Sequence, residues 1–151
     1  MGFTIDAWIE YDDSAQDHPE RAAEPPFSQM HDNCIPLNEF DRLRSGKDDR
    51  FFAALAGIKC REDDPDPLFP RRGGLPPNVS GFAMYGINQT IESNNPYLSW
   101  LTYPEIEQAL GHMKVRTDDL SLAAKFVLDL MQSIEKRLGE GRSRLIFYIW
   151  Y

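Results

Sequence analysis

The sequence lacks the features that mark export and membrane proteins. No run of apolar residues approaches the roughly 18 that a membrane helix needs, and the longest one covers only residues 145–151. The first residues carry no basic stretch, and Asp6 stands where an export signal would be apolar. We therefore expect a cytoplasmic protein that does not bind membranes.

Cysteine and histidine are too few and too scattered to indicate a metal site or a disulfide. The chain has two cysteines and three histidines in 151 residues, and their spacing is not one that zinc sites use. Without an export signal, Cys34 and Cys60 are expected to be reduced thiols. We therefore predict no metal and no cofactor.

Complete catalytic motifs are also missing. There is no Gly-x-Ser-x-Gly, no P-loop and no Gly-x-Gly-x-x-Gly. Cys34 has His31 three residues before it, but sequence proximity alone does not make a catalytic pair. Asp6 and Glu10 fall on one side of an alternating segment, which suits an acid–base site and equally suits plain solvent exposure. The sequence therefore favours a protein that is not an enzyme.

Basic residues are outnumbered, which limits the kinds of partner. The chain has 24 acidic and 16 basic residues and a formal net charge of −8. Nucleic acids and anionic membranes are bound through basic surfaces. We therefore expect no direct contact with nucleic acid, whereas a basic protein surface or a small anionic ligand remains a suitable partner.

The two chain ends predict strands. Residues 3–11 alternate between apolar and polar side chains, which is typical of a strand with one buried face. A closing strand is expected at residues 144–151, and within it residues 145–150 are apolar on both sides, which is typical of a central strand. We expect the two strands to pair in a small antiparallel sheet.

A long amphipathic helix near the end of the chain should cover that sheet. Thr102 and Glu105 form a capping box that starts a first helix, reaching about residue 112. A second helix is expected to begin at Thr117 or Asp118 and to end near Leu138. Its apolar face would consist of Leu120, Ala123, Phe126, Val127, Leu130, Met131, Ile134 and Leu138.

The middle of the chain predicts short helices between two long loops. Short helices are expected at residues 35–44 and 47–57, while residues 81–92 suit a helix or a strand. Prolines and weak periodicity predict loops at residues 12–33 and 59–80. The fold class is thus α+β in one domain over residues 1–151, with a long C-terminal helix and shorter helices on the sheet.

One local feature stands out as a candidate ligand site. Arg71 and Arg72 precede two glycines, so that two guanidinium groups and close backbone amides could grip a phosphate or carboxylate. Lys47 could add charge, and Tyr97 and Trp100 could stack on a base. The alternative is a surface loop whose arginines pair with nearby carboxylates, namely Glu62, Asp63 or Asp64.

Four segments, in this order, carry a family resemblance. They are Thr-Ile-Asp-Ala-Trp-Ile-Glu at residues 4–10, Phe-Phe-Ala-Ala-Leu-Ala-Gly-Ile at 51–58, Arg-Gly-Gly-Leu-Pro-Pro-Asn-Val-Ser at 72–80 and Ser-Trp-Leu-Thr at 99–102. The chain resembles an uncharacterised family of small bacteriophage and prophage proteins. Members of that family have an opening Cys-Asp-Ile-His strand, Leu-Phe-Ala-x-Leu-Ala-Gly, Gly-Leu-Pro-x-x-Val-Ser and His-Ser-His-Ser-Trp-Leu-Thr.

The chain departs from that family at its histidines. The histidine of the opening motif falls at Asp6 or Ala7, and the two histidines before Ser-Trp-Leu-Thr correspond to Pro96 and Leu98. If those histidines bind a metal in the relatives, this chain has the same scaffold but lacks most of the metal ligands. That difference favours binding over catalysis.

The resemblance implies a phage or prophage accessory protein that acts in the host cell cytoplasm. Our first hypothesis is that it binds a ligand or host factor without turning it over, such as a nucleotide-like defence signal. The alternatives are an acidic inhibitor of a host nucleic-acid-binding defence complex, and a hydrolase or transferase that uses the strand carboxylates. A homo-oligomer is also open, through the closing strand if that strand lies at a sheet edge.

Overall fold

The computed structural model describes residues 4–37, 48–92 and 94–150. Its strands are β1 (Thr4–Tyr11), β2 (Cys34–Pro36), β3 (Leu98–Thr102) and β4 (Ser143–Trp150). Its α-helices are α1 (Ser14–Asp17), α2 (Asp49–Ala56), α3 (Gly81–Thr90), α4 (Tyr103–His112) and α5 (Leu122–Leu138). Two 3₁₀ turns cover Pro19–Ala23 and Thr117–Asp119.

The strands form one antiparallel sheet in the order β2-β1-β4-β3. The first and last strands pair along their whole length, from Thr4 opposite Trp150 to Tyr11 opposite Ser143. This confirms the α+β class, the pairing of the two chain ends and the central place of the last strand. Strand β3 was not expected. It has only five residues, the last of which is the N-cap of α4, and they show little alternation between apolar and polar side chains.

Helices cover both faces of the sheet. Helices α2, α4 and α5 pack on the face that carries Ile5, Ile9 and Phe147. Helix α3 covers the face that carries Trp8 and Ile146. The large core on the first face and the smaller one on the second together bury most of the apolar side chains of the sheet.

The prediction that β1 has one exposed face is wrong. Trp8 and Glu10 point to the side opposite Ile9, yet they are only 5% and 0% exposed. Helix α3 approaches this side so closely that a Cβ at Gly86 would lie 2.7 Å from the Trp8 indole nitrogen. The alternation in the sequence shows which face of the strand carries the polar side chains, but it does not show which face is exposed. Here the face with the polar side chains is itself buried.

The long helix starts later than expected, and the face that it buries matches the predicted one only in part. Its N-cap is Ser121, which accepts a hydrogen bond from the Ala124 amide, and not Thr117 or Asp118. Asp48 accepts hydrogen bonds from the amide and hydroxyl of Ser121, which joins the first turn of α2 to that of α5. The side chains that α5 buries are Ala124, Val127, Leu128 and Met131.

Some of the other helix predictions are confirmed, and one is wrong at its start. The capping box and α4 are confirmed as expected, and α2 ends at Gly57 in the left-handed conformation. The ambiguous segment after Ser80 is a helix, α3. The helix expected at residues 35–44 is wrong at its start, where β2 runs, and residues 38–47 lie outside the described part of the chain.

A buried ion pair fixes the region after β1. The Arg142 guanidinium donates to an Asp12 carboxylate oxygen at 2.7 Å and reaches the carbonyl oxygens of three residues, Arg21, Ala22 and Glu24. Burial favours a higher pKa for Asp12, but hydrogen bonds from Ser14 and Phe27, with the Arg142 charge, lower it overall. The region expected as a loop, residues 12–33, therefore follows a defined path that includes α1 and a 3₁₀ turn.

A second buried pair, Glu10 with Arg144, generates the first prediction. The two residues face each other in the β1–β4 register, with 2.7 Å between Glu10 Oε1 and Arg144 Nε. Arg144→Met leaves a buried carboxylate without its cation, which should lower the free energy of unfolding by about 3–5 kcal/mol. Urea unfolding followed by tryptophan fluorescence measures the change.

The double variant Glu10→Met/Arg144→Met provides the control. Removing both charges should recover most of the lost stability, because no uncompensated charge remains in the core. A double variant as unstable as the single one would show that packing around Arg144, and not its charge, stabilises the sheet.

Candidate functional site

The structure brings four of the five predicted ligand-binding residues together. The loop after α2 runs along the outer edge of β3, where the Arg72 amide donates to Ser99 Oγ at 2.9 Å and the Gly74 amide donates to the Leu98 carbonyl at 2.9 Å. These contacts place Arg71 and Arg72 beside Tyr97 and Trp100. Lys47 lies outside the described residues.

Each arginine stacks on one aromatic ring. The guanidinium carbon of Arg71 lies 4.8 Å from the centroid of the Tyr97 ring, and that of Arg72 lies 4.0 Å from the Trp100 ring. Such stacking is worth about 0.5–1 kcal/mol at exposed sites and holds the guanidinium plane in place. We refer to Arg71, Arg72, Tyr97 and Trp100 as the arginine–aromatic surface.

The two arginines differ in their charge partners. Arg72 binds both carboxylate oxygens of Glu105 and also donates to the Trp100 carbonyl at 3.3 Å. Burial favours a higher pKa for Glu105, but hydrogen bonds from Arg72 and Thr102 outweigh it and lower the pKa overall. Within the described residues Arg71 has no carboxylate partner, so its positive charge is the one available to a ligand.

The predicted alternative pairing is not what the structure shows. Asp64 binds Arg50 at 3.0 Å and accepts from the Arg61 amide, so it is engaged away from Arg71 and Arg72. The carboxylate that Arg72 does bind, Glu105, was recognised in the sequence only as part of a capping box. Glu105 both caps α4 and binds Arg72, because the N3 position of α4 lies beside the edge of β3.

The glycines serve the path of the loop. Gly73 and Gly74 adopt positive φ angles of 64° and 153°, a region that favours glycine. Because the amides of Arg72 and Gly74 already donate to Ser99 and Leu98, they are not free to cradle an anion. These two amides are therefore not part of the candidate ligand site.

A buried polar cluster lies behind the arginine–aromatic surface. Arg144 is 2% exposed, and its guanidinium carbon lies 3.8 Å from the Phe27 ring centroid and 6.0 Å from that of Trp100. Burial lowers the pKa of Arg144, and the neighbouring Glu10 carboxylate counteracts the shift. Trp100 thus has Arg72 and Arg144 as neighbours, which fixes its ring between the surface and the core.

Phe27 covers this cluster in a strained backbone conformation. Its φ angle is 60°, which is costly for an aromatic residue. The Phe27 amide donates to Asp12 at 2.7 Å, and the Asn78 side chain donates to the Phe27 carbonyl at 2.8 Å. These bonds hold the ring over Arg144 and keep water from the Glu10–Arg144 pair.

The carboxylates considered for catalysis do not form an accessible acid–base site. Glu10 is fully buried, and its oxygens accept from Arg144 and from the Ser80 amide at 2.6 Å. Asp6 lies four residues before Glu10 on β1, opposite Tyr148 on β4. Glu10 is thus shielded from solvent and already engaged by neighbouring groups.

The Cys34 thiol is not activated as a nucleophile. Cys34 lies opposite Glu10 in the sheet, and burial together with the Glu10 charge raises the pKa of the thiol to about 11. His31 makes its contacts elsewhere, since Nδ1 accepts from the Asn33 amide and Nε2 lies 3.5 Å from Glu10 Oε2. The geometry therefore gives no support to a Cys34–His31 pair.

The described ranges contain neither a cluster of potential metal ligands nor a helix suited to span a membrane. Among residues 4–37, 48–92 and 94–150, no group of three or more His, Cys, Asp or Glu residues is placed to hold a metal ion. No helix in the same ranges combines the length and apolar character needed to cross a membrane.

Comparisons with known proteins do not extend this description. No protein-family model, no curated protein and no solved structure matches the chain.

The unequal partners of the two arginines predict unequal effects on stability. Arg72→Ala removes the bidentate contact to Glu105 and the stack on Trp100, so it should lower the free energy of unfolding by roughly 1–2 kcal/mol. Arg71→Ala should change it by less than about 0.5 kcal/mol. Urea unfolding of the two variants tests this, and equal losses would contradict the assignment of Glu105 to Arg72.

The raised pKa of Cys34 predicts slow alkylation. In a Cys60→Ser background, iodoacetamide at about pH 8 should modify Cys34 at least tenfold more slowly in the folded protein than in urea, because few molecules carry the thiolate. Mass spectrometry of timed samples gives the rates. Equal rates in the two conditions would show that the thiol is reactive after all.

Proposed function

We propose that the protein is a phage or prophage accessory protein that binds a small anionic, nucleotide-like ligand without catalysis. The observation that supports this most is Arg71, held against the Tyr97 ring with no carboxylate partner in the described part of the chain. The stack on Tyr97 distinguishes this guanidinium from a freely moving surface arginine, because it holds the positive charge in one place.

The chemistry of the surface favours a ligand with both an anionic group and a ring. A guanidinium offers paired N–H donors to a phosphate or carboxylate, and Arg71 is already oriented by its stack on Tyr97. Tyr97 is 48% exposed, so part of its ring remains open to a base. Arg72, matched by Glu105, would orient Trp100 rather than supply charge.

The acidic surroundings favour a small ligand over a polymer. Nucleic acid binding requires many phosphate contacts from basic side chains, and the acidic excess of this chain opposes that. The burial and pairing of Glu10, with the raised pKa of the Cys34 thiol, favour binding without turnover. We place this activity in the host cell cytoplasm, in line with the resemblance to phage proteins.

A thermal-shift screen of linear nucleotides, cyclic nucleotides and nucleotide sugars tests the proposal. A ligand at about 100 times its Kd adds about 2.7 kcal/mol to stability, which should raise Tm by roughly 5–10 °C. Arg71→Ala should abolish the shift without lowering the Tm of the free protein. The matched control is Arg116→Ala, an exposed arginine far along the chain, which should keep the full shift.

The outcomes separate the hypotheses. A shift that survives Arg71→Ala would place the ligand elsewhere, and chemical conversion of the ligand during incubation would show an enzyme. A screen without any shift would contradict the ligand class and favour the acidic inhibitor of a host protein. That alternative predicts a complex with a basic partner which weakens steeply as salt rises.

A further inference from the structure

Helix α5 carries a row of exposed apolar side chains on its outer side. Leu122, Phe126 and Leu130 are 67%, 62% and 37% exposed, although the sequence pattern predicted Phe126 and Leu130 in the core. They stand four residues apart, so they lie along one line of the helix surface. The fold leaves most of Leu122 and Phe126 and about a third of Leu130 uncovered, because α5 packs on the sheet through its other side.

Apolar side chains at this spacing can pack against a second helix. Side chains at i, i+4 and i+8 form a ridge that fits into the groove of a second helix. Contiguous apolar patches on a protein surface commonly mark interaction sites. The row is also separate from the arginine–aromatic surface, with which it shares no residue.

The charges at the two ends of α5 indicate what the second helix is. Asp118 and Asp119 are exposed just before the helix begins, and Lys136 and Arg137 are exposed in its last turn. An antiparallel copy of α5 brings the acidic end of each helix towards the basic end of the other. A parallel copy would bring like charges together, which is unfavourable.

We propose that a second copy of this chain docks on this row, α5 against α5, with the helices antiparallel about a two-fold axis. With the axis between Phe126 and Leu130, each Phe126 faces the Leu130 position of the partner helix, and Leu122 faces the Ile134 position. One surface is thus complementary to itself, which is what a two-fold dimer requires.

The route to a homo-oligomer through the closing strand is not open in this sheet. The aromatic-rich closing strand is central, between β1 and β3, so it has no free edge. The outer edge of β3 is occupied in part by the loop that donates from the Arg72 and Gly74 amides. Helix α5 is therefore the element through which we expect the chain to associate.

Sedimentation equilibrium of the full chain, from about 5 to about 500 µM, tests the proposal. A small apolar interface predicts a monomer–dimer equilibrium with a dissociation constant in the micromolar range. Phe126→Asp should raise that constant at least tenfold. The matched control is Phe82→Asp on α3, where the phenylalanine is 68% exposed but outside the row, and it should leave the constant unchanged. Circular dichroism and Tm confirm that each variant is folded.

The charge pattern tests the orientation. Reversing the basic end with Lys136→Glu/Arg137→Glu should weaken the dimer, and so should reversing the acidic end with Asp118→Lys/Asp119→Lys. Combining all four changes should restore the wild-type constant, since the ends are again complementary. A wild-type chain that stays monomeric at the highest concentration overturns the proposal. So do equal effects of Phe82→Asp and Phe126→Asp, or a fourfold variant that does not recover.

Discussion

The buried pair of Glu10 and Arg144 is the interaction on which the rest of the structure depends. It joins the two central strands of the sheet, β1 and β4, near one end of their pairing, and both side chains are almost completely shielded from water. A buried charge needs partners for all of its hydrogen-bonding atoms. Glu10 therefore also accepts from the Ser80 amide at the start of α3, and Arg144 reaches the Asn78 carbonyl and the Phe27 ring. The position of α3 and of the loops beside it follows from meeting these needs.

Three arginines at and behind the arginine–aromatic surface illustrate how the partners of a residue determine its role. Arg144 is buried and matched by Glu10, and Arg72 is matched by Glu105. Arg71 is left without a carboxylate partner in the described residues, which is why the ligand proposal rests on it. All three have the same charge and the same capacity for hydrogen bonds. They differ in whether a carboxylate lies within hydrogen-bonding distance. That depends on how β3, α4 and the loop after α2 pack together.

In helix α5, likewise, tertiary packing determines which of the apolar residues are buried. Its sequence carries apolar side chains around more than half of the circumference, so its periodicity alone does not say which of them the sheet covers. Ala124, Val127, Leu128 and Met131 are covered, whereas Phe126 and Leu130 are left on the outside. The prediction of a single apolar face was wrong because it merged a core-facing side with a second, exposed row. That second row is the basis of the proposed dimer.

Local chemistry in the sequence determined the elements that depend on near neighbours. The capping box of Thr102 and Glu105, the short helix that ends at Gly57 and the two-sided apolar strand near residue 150 were all predicted and are all present. Capping and periodicity act within a few residues, so the sequence displays them directly. The candidate site was predictable in its residue types, since arginines beside glycines and nearby aromatic residues stand out.

Only the tertiary structure decided which of these residues meet. Glu10 and Arg144 are 134 positions apart, and Arg72 and Glu105 are 33 apart, so no local pattern couples them. The same holds for the choice of the buried side of α5. Pairing of charges and covering of apolar surface are contacts between distant segments, and their free energy exists only once the chain has folded.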